Sequence, residues 1–394
     1  MGLNDTPLSE RLHIGFFGRR NAGKSSVVNA VTNQELSVVS DVLGTTTDPV
    51  LKAMELLPIG PVVIIDTPGF DDIGELGQMR VKKTKEVIQK TDVAVLVVDA
   101  SVGKSECDEE LERIFKQKGV KYIVCYNKSD LAEIECSLSN EVLVSAKNKE
   151  NIDKLKKKIA EIAQNDENDK RIVADLIEKD DLVILVTPID ESAPKGRLIL
   201  PQQQTIRDIL DADACSVVVK ETQLREVLGS LSKKPRLVIC DSQVFKIVDE
   251  IVPQDIDLTS FSILFARYKG DFKTLISGAK AIDELSDGDA VLISEGCTHH
   301  RQCNDIGTVK LPNMMKKYTG KNLNFEFSSG REFSDELLKY KLVVHCGGCM
   351  LNEREMKSRI ENVSASGVPV TNYGMALAYM QGILKRSIKI FKEL

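Results

Sequence analysis

Two stretches bearing cysteine and histidine carry the most specific chemistry in this 394-residue chain. One is His345-Cys346-Gly347-Gly348-Cys349. The other is Cys297-Thr298-His299, separated from it by residues 300–344. Three of the four histidines (His299, His300, His345) and four of the nine cysteines (Cys297, Cys303, Cys346, Cys349) fall in or beside these stretches. Thiolates and imidazoles so concentrated have the composition of a metal site. Structural zinc takes four tetrahedral ligands, commonly as two C-x-x-C-like pairs. Only one such pair occurs here, and the other half reads C-x-H. Cys297, Cys346 and Cys349 suit three irons of a [4Fe–4S] cluster, leaving the fourth iron for a labile ligand. Spacing admits both metals and favours iron–sulfur. Gly347 and Gly348 let backbone N–H groups approach cluster sulfurs. Asn352 with Glu355 has the pattern of a helix start, whose N-terminus favours a nearby anion by ~0.3–1 kcal/mol.

A second chemistry is written near the N-terminus. The apolar stretch Arg11–Gly18 runs into Gly18-Arg19-Arg20-Asn21-Ala22-Gly23-Lys24-Ser25. This is a complete G-x-x-x-x-G-K-[ST] phosphate loop, with the required strand before it and a helix after it, Ser26–Thr32. Gly18, Asn21, Ala22, Gly23, Lys24, Ser25 and Ser26 are the phosphate-binding candidates: backbone N–H groups and a helix N-terminus cradle the anion. Lys24 is expected to reach the β- and γ-phosphates, and the Ser25 hydroxyl to bind Mg²⁺. Asp66-Thr67-Pro68-Gly69 ends a further apolar run, Val62–Ile65, where Asp66 can hold the Mg²⁺ shell and Gly69 can sense the γ-phosphate. Asn127-Lys128-Ser129-Asp130 follows the strand-like Lys121–Tyr126. This N-K-x-D pattern selects guanine, because the Asp130 carboxylate accepts from both N1–H and the exocyclic amine. Hydrogen bonds to a charged partner contribute ~1.5–3 kcal/mol each, and adenine lacks that donor pair. Ser145-Ala146-Lys147, after Glu141–Val144, matches the loop that closes over the base. Four motifs in order, at the ends of the right elements, specify a GTP- and Mg²⁺-binding domain with Lys24, Asp66 and Gly69 in its catalytic set.

These residues must be held by a scaffold, and the pattern around them is α/β. The chain exceeds the ~250–300 residues that a single core usually serves. Three domains are expected: 1–165 for GTP, 166–262 and 263–394. Each should be a mainly parallel sheet with flanking helices. The first is a Ras-like P-loop domain. After a polar linker at 164–170 come strand-like stretches at 181–186, 216–219 and 236–240, with helical stretches at 204–210 and 222–231. Three strands make a thin core with an exposed edge, so this segment is expected to dimerise. The last domain alternates strands at 290–293, 323–327, 342–344 and 368–370 with helices at 272–285, 305–318, 353–363 and 375–384. A doubly wound sheet collects ligands outside the carboxyl ends of its strands. Cys297, His345, Cys346 and Cys349 all follow such ends and can therefore converge. The formal net charge of −6 leaves no basic footprint for nucleic acid. Apolar runs such as Val93–Val98 fall short of a ~20-residue membrane span. The N-terminal residues do not form a signal peptide, so a cytoplasmic, reducing setting is expected, in which clustered cysteines bind metals. Cys107, Cys125 and Cys136 lie apart and read as ordinary small side chains.

Gly44-Thr45-Thr46-Thr47-Asp48 resembles the G-T-T-x-D switch segment of the TrmE/Era-like small GTPases, which include tRNA-modifying and ribosome-assembly enzymes. The resemblance places Thr46 as an Mg²⁺ ligand in the catalytic set. Asn21 matches the asparagine with which potassium-activated members hold K⁺ beside the phosphates, where the ion offsets transition-state charge. Phe70 stands where other GTPases keep a water-positioning Gln, which implies slow intrinsic hydrolysis. The order GTPase, C-x-H, long gap, H-C-x-x-C is similar to that of the [FeFe]-hydrogenase maturation GTPases of the HydF family, over the whole chain. That resemblance implies a homodimeric scaffold with a [4Fe–4S] cluster on Cys297, Cys346 and Cys349. It would receive a transient diiron precursor, which two radical-SAM maturases supply or build, and pass it to apo-[FeFe]-hydrogenase. His299 and His345 carry over as motif members. Either of them, Asp305 or solvent can complete the fourth iron, with His300 and Cys303 as bystanders. The competing readings are a tRNA-modification or ribosome-assembly GTPase with a structural zinc domain, and an iron–sulfur redox or sensing protein.

Overall fold

The computed structural model of the chain describes residues 6–34, 49–70, 75–132, 138–164, 170–189, 198–296, 305–330 and 336–391. They fall into two compact units, Met1–Asp169 and Lys170–Leu394. Among the described residues no helix is long and apolar enough to cross a membrane.

The first unit is built from β1 (Leu12–Phe17), α1 (Lys24–Thr32), β2 (Val50–Leu56), β3 (Gly60–Asp66), α2 (Glu75–Lys90), β4 (Val93–Asp99), α3 (Glu106–Gln117), β5 (Lys121–Asn127), β6 (Glu141–Leu143) and α4 (Ile152–Gln164). Its sheet runs β2-β3-β1-β4-β5-β6, with only β2 antiparallel to its neighbour. The central strand β4 is buried along its whole length because helices cover both faces, which is why it reads as an unbroken apolar run. Val93, Val95 and Val97 pack with Ile14, Val27 and Leu155 on one face. Ala94, Leu96 and Val98 pack with Phe17, Leu111 and Phe115 on the other.

The second unit holds two four-stranded sheets, both wholly parallel. The first comprises β7 (Leu182–Val186), α5 (Leu200–Asp211), β8 (Cys215–Val219), α6 (Leu224–Ser230), β9 (Leu237–Cys240), α7 (Phe245–Ile251) and β10 (Asp257–Ser260), in the order β10-β9-β7-β8. Helices α8 (Phe261–Lys269) and α9 (Phe272–Lys280) lead to the second: β11 (Ala290–Glu295), α10 (Leu311–Thr319), β12 (Asn324–Ser329), β13 (Leu342–His345), α11 (Glu353–Ala365), β14 (Val370–Asn372), α12 (Tyr373–Met380) and α13 (Leu384–Ser387). Its order, β12-β11-β13-β14, reverses between β11 and β13. Met315 of α10 packs on one face of this sheet, and Met356 and Ile360 of α11 on the other. The sheet is therefore doubly wound, with its switch point between β11 and β13.

Two features depart from the sequence reading. The segment after residue 170 has four strands rather than three, and its core is not thin: one apolar cluster runs from Val183 and Leu237 through Phe265 to Val343 and Met375. The added strand, Asp-Leu-Thr-Ser, has no apolar run to announce it, because Thr259 and Ser260 are buried as polar residues. Ser260 instead caps α8, its hydroxyl accepting from Ile263 N at 3.3 Å. The division expected at 262/263 falls inside α8, which packs against α5 of the first group and α11 and α12 of the second.

Candidate functional site

The phosphate loop joins β1 to α1 through three left-handed or glycine-only conformations: Gly18 at φ 137°, Asn21 at 59° and Gly23 at 84°. A Cβ at Gly18 would sit 2.3 Å from the Val97 carbonyl oxygen, so close backbone approach demands glycine there. At Gly23 the left-handed φ demands it, with the Asn127 side-chain amide 2.2 Å from where a Cβ would stand. Lys24 is buried, and its Nζ donates to the carbonyls of Gly18 (3.0 Å) and Arg19 (2.8 Å). Ser25 Oγ donates to Asp66 Oδ2 at 2.9 Å, which joins the two expected Mg²⁺-binding groups directly. Gly69 is buried beside Phe70, whose N–H donates to Gly18 O at 3.4 Å and whose ring lies in the core. Thr46 and the rest of 44–48 lie outside the described residues.

Asn127 ties the phosphate loop to the base loop. Its Nδ2 donates to Ala22 O at 3.0 Å, and its Oδ1 accepts from Ala146 N at 3.1 Å. Ser145 Oγ donates to Asp130 Oδ1 at 2.7 Å and accepts from Asn148 N at 3.2 Å. Lys128 (φ 66°) donates to Asp99 at 2.6 Å. Burial alone would raise the Asp99 carboxyl, but Lys128 and Ser101 outweigh it and hold it below its usual range. Together these loops surround a cavity of about 660 Å³ lined by Gly23, Ser26, Asp130, Ala146 and Lys147. Asn29, Asn33 and Lys149 also line it, and no motif points to them. Lys149 Nζ donates to Asn33 Oδ1 at 3.2 Å across the wall.

The second candidate site lies at the carboxyl edge of the doubly wound sheet. Ser294 pairs with His345 and His345 with Asn372, so β11, β13 and β14 end side by side. Cys346 N donates to Ser294 O at 2.8 Å, which brings Cys346 next to the end of β11. Its Sγ accepts from Gly296 N at 3.1 Å and Gly348 N at 3.4 Å. Gly348 is left-handed (φ 62°), and a Cβ there would meet Met356 Sδ at 2.9 Å. Burial pushes the Cys346 thiol up to about 11 against the pull of those two N–H groups. Burial also raises the Cys349 thiol, with Lys269 opposing it. Cys297, His299, His300 and Cys303 lie outside the described residues. Among the described ones no three Cys, His, Asp or Glu side chains form a metal-binding group.

His345 is buried and engaged at both ring nitrogens. Arg359 Nη1 donates to Nε2 at 3.3 Å, and Nδ1 donates to Cys346 O at 2.8 Å. Burial and the Arg359 charge bring its pKa down to about 4, so the ring is neutral at pH 7. Asp305 accepts from Thr308 N at 2.9 Å and Thr308 Oγ1 at 3.0 Å, as the cap of the π-helical turn Ile306–Lys310 that leads into α10. Sequence reasoning passed over Glu295, which is 3% exposed and accepts from Tyr373 OH at 3.4 Å beside the same edge. Its only signal was its place at the end of the strand that precedes Cys297. Burial, Cys346 and Glu295 raise the Tyr373 phenol far above its usual range.

The six-stranded sheet, the phosphate loop and the guanine-specifying loops define a P-loop GTPase. In keeping with that class, residues 13–128 match the family model for 50S ribosome-binding GTPases. Residues 172–270 match that of the hydrogen maturase F dimerization domain, and residues 273–390 that of the hydrogen maturase F tetramerization domain. The chain belongs to the hydrogen maturase F family, in which a GTPase domain precedes two self-association domains. Among curated relatives, GTPase Der of Wolinella succinogenes is 34% identical over 171 residues, covering 39% of this chain and 36% of its own. The tRNA modification GTPase MnmE of Carboxydothermus hydrogenoformans is 32% identical over 175 residues, covering 41% and 37%. The chain thus spans little more than a third of the length of these relatives.

Proposed function

We propose that the chain is a GTPase scaffold that holds a [4Fe–4S] cluster on Cys297, Cys346 and Cys349 and uses it to assemble and deliver the diiron precursor of an [FeFe]-hydrogenase. The observation that supports this best is Cys346 at the switch point of a doubly wound sheet, its sulfur accepting two backbone N–H groups. Such donors stabilise thiolate ligands, and Cys349 follows three residues on in a glycine turn. A cluster bound there would supply an open iron to anchor the cargo. The chain's own part is to orient the thiolates, exclude water and present the edge to apo-hydrogenase and the two radical-SAM maturases. His345 is held by Arg359, so the fourth iron is assigned to His299, Asp305 or solvent in preference to it. Clustered cysteines bind metals more often than they pair in a reducing setting, and the cytoplasm is proposed. The domain limits 1–165, 166–262 and 263–394 are retained as functional divisions: nucleotide, dimer, cluster.

Anaerobic reconstitution with iron and sulfide tests the metal. The wild-type chain should turn brown and show a reduced-cluster EPR signal, and Cys346→Ala and Cys349→Ala should lose both. A colourless, zinc-loaded protein would favour an RNA-directed GTPase with a structural zinc instead. Activation of apo-hydrogenase by the loaded chain separates a carrier from a redox protein. For the nucleotide site we propose Mg²⁺ on Ser25 and Thr46 and K⁺ at Asn21. GTP turnover should rise when Na⁺ is replaced by K⁺, and Asn21→Ala should abolish the rise. Equal rates in the two salts would remove K⁺.

A further inference from the structure

Lys269, the last residue of α8, belongs to no motif, yet it is 3% exposed beside the cysteine turn. Its Nζ donates to Leu351 O at 3.0 Å and Cys349 O at 3.5 Å. The ammonium also lies 5.9 Å from the centroid of the Phe265 ring. Burying a cation is costly unless dipoles or anions compensate it. A lysine there as mere packing would be replaceable by methionine at small cost. What holds it is the pair of carbonyls from the segment that carries Cys349, and α8 itself is fixed by its packing against α11 and α12. The ammonium therefore fixes the turn and lies close enough to the Cys349 thiol to oppose the effect of its burial.

We propose that Lys269 is a positioning residue of the cysteine site: it clamps the Cys349–Leu351 turn and offsets the negative charge of the bound cluster. This rests on the iron–sulfur reading above. Each added electron makes a thiolate-ligated cluster more negative, so removing the cation should disfavour the reduced state.

The test compares full-length wild type, Lys269→Met and Lys269→Arg after anaerobic reconstitution, by EPR-monitored redox titration and iron analysis. In Lys269→Met the reduction equilibrium should shift about tenfold towards the oxidised cluster, 59 mV to the negative for one electron. Lys269→Arg should restore most of the shift. Amide hydrogen exchange on the metal-free chains gives an independent readout: residues 348–351 should exchange faster in Lys269→Met, with GTP affinity unchanged. An unchanged potential in a fully loaded Lys269→Met chain overturns the charge role, and unchanged exchange overturns the clamp. Cluster loss in Lys269→Met with retention in Lys269→Arg supports the proposal, whereas equal loss in both reduces Lys269 to packing. Failure of the wild type to take up a cluster removes the iron–sulfur reading, and the charge role with it, whatever the variants do.

Discussion

Single residues in this chain act by joining segments far apart in sequence. Asn127 holds the phosphate loop with one end of its amide and the base loop with the other. Asp130 lines the nucleotide cavity with its Oδ1 accepting from Ser145 Oγ, and it is the carboxylate we propose to read guanine. Asp130→Asn should therefore weaken GTP binding about 10- to 100-fold, since one charge-assisted hydrogen bond of ~1.5–3 kcal/mol is lost. The amide can donate to a carbonyl at the guanine-amine position, so xanthosine triphosphate should bind the variant better than GTP does. Nucleotide titration by fluorescence checks both outcomes. Undiminished GTP affinity would mean that Asp130 does not contact the base. His345 teaches a different lesson. Its neighbours in sequence mark it as a ligand, while Arg359 across the fold engages the nitrogen a metal would need.

At the scale of elements, the second unit depends on close helix–sheet contact. Helix α9 crosses β14 at Gly278, where an added Cβ would lie 1.9 Å from the Val370 carbonyl oxygen. Backbone cannot yield as a side-chain tip can. Gly278→Ala should destabilise this unit by about 1–3 kcal/mol, the usual cost of overpacking. Because Gly278 and the phosphate loop belong to separate compact units, GTP affinity should be unchanged. Thermal unfolding followed with and without GTP separates the two. A wild-type melting profile would show that α9 can shift away from β14. The doubly wound order of β11–β14 matters for the same reason: only a reversal of winding leaves a crevice between adjacent strand ends, and Gly296 and Cys346 meet there.

For the whole molecule, the domains that follow the GTPase are those of a self-associating protein. Strand β8 is one of the two outer strands of its sheet, and Val218 on it is 42% exposed. Such an edge pairs readily with a second copy, and a lysine on it discourages pairing. Light scattering of the full chain should give a multiple of 43.6 kDa, and Val218→Lys should lower the mass. A monomeric wild type would contradict self-association. A variant of unchanged mass would place the contact on another surface.

The nucleotide site was legible in the sequence because its motifs are local. A phosphate loop, a D-x-x-G and an N-K-x-D each need only their own few residues and the strand end that carries them. The parallel α/β class was legible too, since strands covered on both faces must be apolar throughout, as β4 is. The polar strand β10 and the antiparallel edge β2 were not, because their pairing comes from neighbours rather than from their own side chains. Around the cysteines, sequence supplied the sulfurs and tertiary structure supplied their surroundings. Gly296 and Gly348 aim N–H groups at Cys346, Arg359 donates to His345 Nε2, and Lys269 arrives from a helix 80 residues before Cys349. Charges and dipoles act through space at a few ångströms, and only the folded chain decides which of them are that close.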